Sequence, residues 1–322
     1  MRKIVIGSVV LVGLALLVLG GLLAWAHLGI RAERAELPTE RNLYSSILAA
    51  DRPVRLSYIN TATQPMPRAG VLDADTDPHP DAAYVMSHPS FVLEWEDGRI
   101  LLIDTGMTRD VAIEFGDLIE KLGAASALEP LTPVADALGE KAKQVRGVVF
   151  THLHMDHVGA LPSLCATGAK FDVFMTRAQA ERPNYTTSPG LDLVRKTPCA
   201  TIRVLDDEGP AHKVPGFPGV AVIAAGGHTP GTQLISARVR TNDGDHLVAF
   251  AGDIVNNVDG IVHQVSKPWA YRMFVVPEDD ERLGEVRGYL RDLALGPVKY
   301  EVLVSHDQLQ LEASSIKAYA AP

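Results

Sequence analysis

Cysteine is almost absent from this chain: Cys165 and Cys199 are the two among 322 residues, they stand far apart, and no Cys-x-x-Cys pair exists. A cysteine-ligated zinc ribbon and a dithiol redox motif are thereby excluded. The plain expectation for both is a small side chain, buried or half-exposed, with one disulfide between them as the alternative if the domain is exported. A basic cluster is missing too, and the formal net charge is −9. Phosphate backbones are bound through clustered Lys and Arg, so no nucleic-acid partner is expected. What the chain does have is apolar surface to bury, since 47% of it is hydrophobic, over a length that suits one large domain or two modest ones.

Arg2 and Lys3 precede a run from Ile4 to Ala26 that carries no charge. Roughly 22 residues at about 1.5 Å each cover a hydrocarbon core of about 30 Å, so residues 1–30 read as a transmembrane signal anchor. The positive start favours a cytoplasmic N-terminus, which would place the rest of the chain on the extracytoplasmic side. Two alternatives stand beside the anchor. One is a cleaved signal peptide, because Ala24-Trp25-Ala26 has the small-x-small pattern, and the other is a buried core helix.

Residues 31–56 read as an exposed linker or short helix, and residues 57–322 as one mixed α/β domain with no dividing linker. Gln64 to Pro80, dense in Pro and Asp, is a loop: a surface loop or a lid. Phe91 to Trp95, Asp97-Gly98 and Arg99 to Ile103 form a hairpin signal. Helical periods fall over Val111–Leu122 and Glu278–Leu295. Apolar strand-like runs then stop repeatedly at polar clusters. Ile103 stops at Asp104, Phe150 at Thr151-His152, Ala225 at Gly226-Gly227-His228, Ala251 at Gly252-Asp253, and Val304 at Ser305-His306. Such strand ends are where α/β folds place their sites, because the strands are rigid and the loops are open.

His152-Leu153-His154-Met155-Asp156-His157 gathers three imidazoles and a carboxylate in six residues. Imidazole nitrogen and carboxylate oxygen suit zinc and related divalent ions. Alternate positions of an extended segment project to one side, so His152 and His154 face one point, while Asp156 and His157 lie past a turn and face another. The lone histidines His27, His79, His88, His212, His246 and His263 read as satisfied core or surface residues.

With these residues the chain resembles the metallo-β-lactamase superfamily, whose hallmark is His-x-His-x-Asp-His at a strand end. Further along it resembles the family at Asp104, at Gly227-His228-Thr229-Pro230-Gly231, at Ala251-Gly252-Asp253 and at Ser305-His306-Asp307. The resemblance implies a four-layer αβ/βα sandwich, preceded here by one transmembrane helix. It implies two divalent ions, zinc by preference: His152, His154 and His228 on one, Asp156, His157 and His306 on the other, and Asp253 bridging. Asp104 would orient a ligand histidine. A hydroxide held between the metals would attack the substrate, and Asp156 would move a proton.

Within the superfamily the chain resembles the N-acyl homoserine lactonases, which implies a lactone or ester carbonyl in a small-molecule substrate. Asp253 separates it from true β-lactamases, which generally lack a bridging carboxylate. Asn256 stands where those lactonases carry a substrate-contacting Tyr; Tyr185 and Tyr271 are substitutes, read first as packing or surface residues. The same ligand set also serves organophosphate hydrolases and glyoxalase II-like thioesterases. A catalytically silent, membrane-tethered binding module is the reading from another class, although no ligand position is lost. The sequence does not fix the oligomeric state.

Overall fold

The computed structural model describes residues 2–121, 125–206 and 209–320. Two sheets face each other. The first contains β1 (Arg55–Pro65), β2 (Val85–Glu94), β3 (Ile100–Ile103), β4 (Glu129–Pro130), β5 (Val145–Val149), β6 (Phe171–Thr176) and β7 (Ala200–Leu205). The second contains β8 (Ala211–Lys213), β9 (Val220–Ala224), β10 (Gln233–Thr241), β11 (Gly244–Gly252) and β12 (Glu301–Val304). The final strand, β13 (Lys317–Ala318), returns to the first sheet, giving the order β13-β1-β2-β3-β5-β6-β7 with β4 on β1, against β12-β11-β10-β9-β8.

The layering follows from the two-residue period of strands. In β3, Leu101 and Ile103 point between the sheets and pack with Phe91, Val222, Ile235 and Phe250. Ile100 and Leu102 point outward, against Val134, Leu138 and Leu164 from helices beyond the first sheet. In β11, Val248 and Phe250 face inward, whereas Leu247, Ala249 and Ala251 meet Leu43, Ile47, Leu283, Val286 and Leu290 from helices covering the second sheet. Strands covered on both faces read as continuous apolar runs, which is why β3 shows no polar alternation and β5 only the exposed Arg146. Phe250 is fully buried, with its ring 4.7 Å from that of Phe91. Phe250→Ala is expected to cost about 3–5 kcal/mol in denaturant unfolding, and a cost under about 1 kcal/mol would mean that the sheets do not pack through it.

The expected hairpin forms: Phe91 pairs with Ile103 and Glu94 with Ile100, and Gly98 takes φ +85° in the turn. The helices lie at Arg109–Lys121 and Asp280–Leu295, close to the expected spans; Leu122 falls outside the described residues. Asp279 caps the second, its side chain accepting from Arg282 N at 3.3 Å. The loop after β1 is organised by a buried cation. Arg68 donates to Asp77 at 2.6 and 3.0 Å and to Asp259 at 2.7 Å, tying the loop to the helix Asp259–Val262.

One sequence expectation changes and two are narrowed. Cys165 and Cys199, expected as separate small side chains, form a disulfide with their Cα atoms 5.5 Å apart, because the helix Ser163–Ala166 and the start of β7 meet across β6. The N-terminal helix spans Arg2–Arg31, and among the described residues it alone is long and apolar enough to cross a membrane, with mean hydropathy 2.2 over Leu11–Arg31. Its side chains from Leu11 to Leu22 are mostly exposed, which is the opposite of a core helix. The following stretch, expected as a linker or short helix, is partly packed on the domain. Glu33 is buried and accepts from Gly231 N at 2.7 Å, and the helix Glu40–Ile47 buries Leu43 and Ile47.

Candidate metal centre

Five strands deliver their terminal polar residues to one edge of the sandwich. After β5 the backbone stays extended through His154 (φ −72°, ψ 154°), so Leu153 turns into the core while His152 and His154 turn out together. Their ring centroids are 4.5 Å apart, and those of His228 lie 4.6 Å from His152 and 4.9 Å from His154. The three rings form a tripod. The short helix Met155–Val158 then carries Asp156 and His157 round to a second position, as the spacing predicts.

There His157 Nε2 lies 3.3 Å from Asp253 Oδ1, and His306 Nε2 lies 2.9 Å from Asp253 Oδ2. Asp156 Oδ2 is 3.6 Å from His157 Nε2 and 3.4 Å from His306 Nε2. Asp253 also faces the tripod, with Oδ2 at 3.8 Å from His152 Nε2 and 3.7 Å from His228 Nε2. Among the described residues four groups of donors could hold an ion, and Asp253 belongs to two of them, His152–His154–His228–Asp253 and His157–Asp253–His306, while Asp156 falls in a third with His88 and His306.

Two backbone features allow this convergence. Gly252 has φ +54°, and a Cβ on it would stand 2.6 Å from Thr151 Cβ, so glycine lets the end of β11 approach the end of β5. Asp104 holds φ +55°, a conformation that costs a non-glycine residue of order 1 kcal/mol and persists only where the surroundings enforce it. The enforcement is visible. Its carboxylate accepts from Thr151 N and from Thr151 Oγ1, each at 2.8 Å, and lies 2.8 Å from His157 Nδ1. Asp104, expected to orient a ligand histidine, thus stands against Nδ1 of His157.

All eight predicted site residues are thus brought together. Four neighbours were not anticipated. His88, expected to be an ordinary buried or surface histidine, sits inside the cluster, with Nδ1 3.2 Å from Asp156 Oδ2 and its ring 4.9 Å from that of His306. Its strand gives no local hint, because one histidine, set in Ser87-His88-Pro89-Ser90, has no spacing partner. Glu278 lies 2.6 Å from His228 Nδ1, and Lys267 donates to Glu278 and to the Asp253 carbonyl, each at 2.6 Å. Thr186 Oγ1 is 3.0 Å from His154 Nε2. His79 and His263, with Asp259, form a separate and mostly exposed trio.

Burial pushes His152 and His228 well below the ordinary imidazole range and His154 down to about 3, so all three rings are neutral with lone pairs to give. Burial also works against a charged His157, but Asp156, Asp253 and Asp104 outweigh it and raise its pKa. Burial by itself would protonate Asp253; His306, His157 and His152 hold it well below the carboxylate range. The donor set fits a divalent ion on a further observation. His228 Nε2 is buried, has no hydrogen-bond partner, and is aimed at Asp253 and the other two rings, as a ligand nitrogen would be.

Asn256 is buried, and its carbonyl accepts from Tyr84 Oη at 3.0 Å. Tyr271 packs its ring 5.4 Å from Lys267 Nζ, and burial together with Glu278, Asp253 and Asp156 raises its pKa well above the ordinary phenol value. Tyr185 is 38% exposed.

Comparison with known proteins gives three results. The metallo-beta-lactamase superfamily model matches residues 83–265. A search of curated proteins finds no match. Solved structures share the fold. One is an N-acyl homoserine lactone hydrolase with its product N-hexanoyl-L-homoserine at the catalytic metal centre, 18% identical, with TM-score 0.58 over 82% of this chain and 98% of that one. Another is the B. thuringiensis AiiA mutant with N-decanoyl-L-homoserine bound, with the same identity, coverage and TM-score. A third is a probable metal-dependent hydrolase from Staphylococcus aureus, 13% identical, with TM-score 0.55 over 81% of this chain and 91% of that one. The matched segment covers more than half of the chain and contains every clustered residue except His306, Glu278 and Lys267. This chain belongs to the metallo-beta-lactamase superfamily.

Proposed function

We propose that the chain is a dinuclear, zinc-dependent hydrolase of lactones and esters, tethered to a membrane by its N-terminal helix. The observation that carries the reading is the position of Asp253, one carboxylate facing both histidine groups. His152, His154 and His228 would hold one ion and Asp156, His157 and His306 the other, with Asp253 between them. Bound there, two divalent ions supply Lewis acidity toward a substrate oxygen and lower the pKa of an attacking water.

The chain's own residues do the rest. Asp104 fixes the ring of His157 through Nδ1, and Glu278 fixes that of His228 in the same way, so the opposite nitrogens of both rings point into the site. Asp156 lies between His88, His157 and His306 and is held ionised against its burial, so it can take a proton and pass it to a leaving oxygen. Tyr271 keeps its phenol proton and can donate it to a substrate oxygen, the service for which Asn256 has no hydroxyl. The absence of a basic cluster favours a neutral lactone or ester over glutathione thioesters or nucleotides. One structural neighbour is an N-acyl homoserine lactone hydrolase and another holds N-decanoyl-L-homoserine at its active site, which agrees with this choice.

The test is kcat/KM across a panel of lactones, aryl esters, glutathione thioesters, phosphotriesters and β-lactams. Lactones or aryl esters are expected to lead with loose selectivity. Phosphotriesters or thioesters turned over about a hundredfold better, about 2.7 kcal/mol of transition-state stabilisation, would overturn the substrate class.

The disulfide Cys165–Cys199 supports an extracytoplasmic domain, since such bonds persist in oxidising compartments, and Arg2-Lys3 supports a cytoplasmic N-terminus. The full-length protein is expected to stay in the membrane pellet through an alkaline carbonate wash. Its release into the supernatant would rule out the spanning helix.

A further inference from the structure

The N-terminal helix does not simply end at the domain; its last turns are built into the loops that carry the site. Ala26 and Ile30 are 1% exposed, although Leu11 to Leu22 around most of the helix are open. His27 Nε2 lies 3.3 Å from the carbonyl of Met273. Just past the helix, Glu33 accepts from Gly231 N at 2.7 Å, in the loop that presents His228. Arg34 pairs with Asp279 at 3.2 Å and Glu281 at 2.7 Å, and Arg282 donates to the Ala35 carbonyl at 2.6 Å. These partners stand at the start of the helix that follows Glu278.

The segment contacted by His27 is two-sided. Its inner side is polar: Lys267, 1% exposed, reaches Glu278 and the Asp253 carbonyl, and Arg272 pairs with Asp280 at 2.8 Å. Its outer side is apolar: Trp269, Phe274 and Val275 are 59%, 57% and 62% exposed, and the two aromatic rings meet edge to face at 5.5 Å. Trp25 and Leu28, near the end of the membrane-crossing helix, are exposed as well, at 54% and 69%. Large apolar side chains clustered in one turn are uncommon on a water-facing surface. Tryptophan, apolar with one N–H, favours the boundary between headgroups and acyl chains.

We infer that Trp269, Phe274 and Val275 enter the outer leaflet of the membrane beside the anchor helix, and that the site is held at the bilayer surface to take amphiphilic acyl lactones or esters from the lipid. The membrane contact follows from continuity: a helix that crosses the bilayer and is fixed to this segment carries the segment to the headgroups with it. The wall inserted outside is the wall that supports Lys267 and Tyr271 inside, so a substrate whose acyl chain lies among the lipids reaches the site without crossing water. The substrate part rests on the hydrolase reading; the membrane contact does not.

The experiment uses the full chain in phosphatidylcholine vesicles, with and without lipids brominated on the acyl chain. Trp25→Phe leaves Trp95, 2% exposed within the core, and Trp269 as the fluorophores. Brominated lipid is expected to remove about half or more of the Trp269 emission, taken as the difference between Trp25→Phe and Trp25→Phe/Trp269→Phe. Emission untouched by brominated lipid but quenched by aqueous acrylamide would overturn the contact, and would leave the patch to a protein partner. In the same vesicles, Trp269→Ser/Phe274→Ser is expected to lower kcat/KM for a dodecanoyl lactone by about tenfold or more, and for a butanoyl lactone by no more than about twofold. Equal losses on both chain lengths would overturn delivery from the lipid. No turnover of either lactone or of aryl esters by the parent would refute the lactone and ester reading and the substrate part with it, while the fluorescence result still decides the membrane contact.

Discussion

Asp253→Ala is expected to lower kcat/KM by about four orders of magnitude, about 5.5 kcal/mol of transition-state stabilisation, and to deplete both metal positions in elemental analysis of the purified protein. Among the described residues Asp253 alone belongs both to the group with His152, His154 and His228 and to the group with His157 and His306. Its loss leaves the tripod of neutral rings without the carboxylate that the Nε2 atoms of His152 and His228 share, and it leaves His157 and His306 without the carboxylate whose oxygens stand 3.3 and 2.9 Å away. Asp253→Asn separates charge from shape: it keeps the volume, and it is expected to lose nearly as much activity and metal. His212→Ala, on β8 at the far edge of the second sheet, is the control and should change neither. Metal content retained in Asp253→Ala would show that the two histidine groups do not depend on a shared carboxylate.

Lys267→Met is expected to cost about 3 kcal/mol of stability and about a hundredfold in activity. Lys267 and Glu278 are both fully buried and 2.6 Å apart, and burial already raises the Glu278 pKa despite the neighbouring ammonium. Without Lys267 the carboxyl group must take up a proton or stay charged in an apolar setting, and either outcome weakens its hold on His228 Nδ1. The double variant Lys267→Met/Glu278→Gln removes the stranded charge. It is expected to recover much of the stability, because a buried pair removed whole costs less than one broken, but to stay impaired in activity because His228 still lacks its carboxylate. Denaturant unfolding and kcat/KM read the two effects separately. A double variant as unstable as the sum of its single variants would mean that the pair is not coupled.

The metal-site residues show how far local sequence reaches. His152, His154, Asp156 and His157 are legible because ligands close in sequence are placed by local geometry: alternate residues of an extended segment share a side, and a turn aims the next pair elsewhere. Asp104, His228, Asp253 and His306 each end an apolar strand, and their roles followed from the resemblance to the metallo-β-lactamase superfamily, whose order they keep. His88 is different. Nothing around it in β2 separates it from a core histidine, and it becomes part of the site because β2 runs beside β3 and brings it to Asp156. Lys267 lies in a segment without periodicity and Glu278 only at the first position of the helical period Glu278–Leu295, and their pairing is a matter of burial, which composition does not report.

By itself, then, the sequence determined the elements whose information is short-range: the apolar N-terminal helix, the β2–β3 hairpin, the strand runs covered on both faces, and the aspartate and histidine stops at their ends. The tertiary structure decided what depends on distant segments meeting. It joined Cys165 to Cys199 across β6, placed His88, Lys267 and Glu278 beside the site, and folded the end of the N-terminal helix against the loop of His228. The physical reason is the range of the forces involved. Backbone sterics and hydrophobic period act over a few residues and are written along the chain, whereas desolvation and close electrostatic pairing act through space, and their strength appears only when the two sheets and their outer helices have closed on one another.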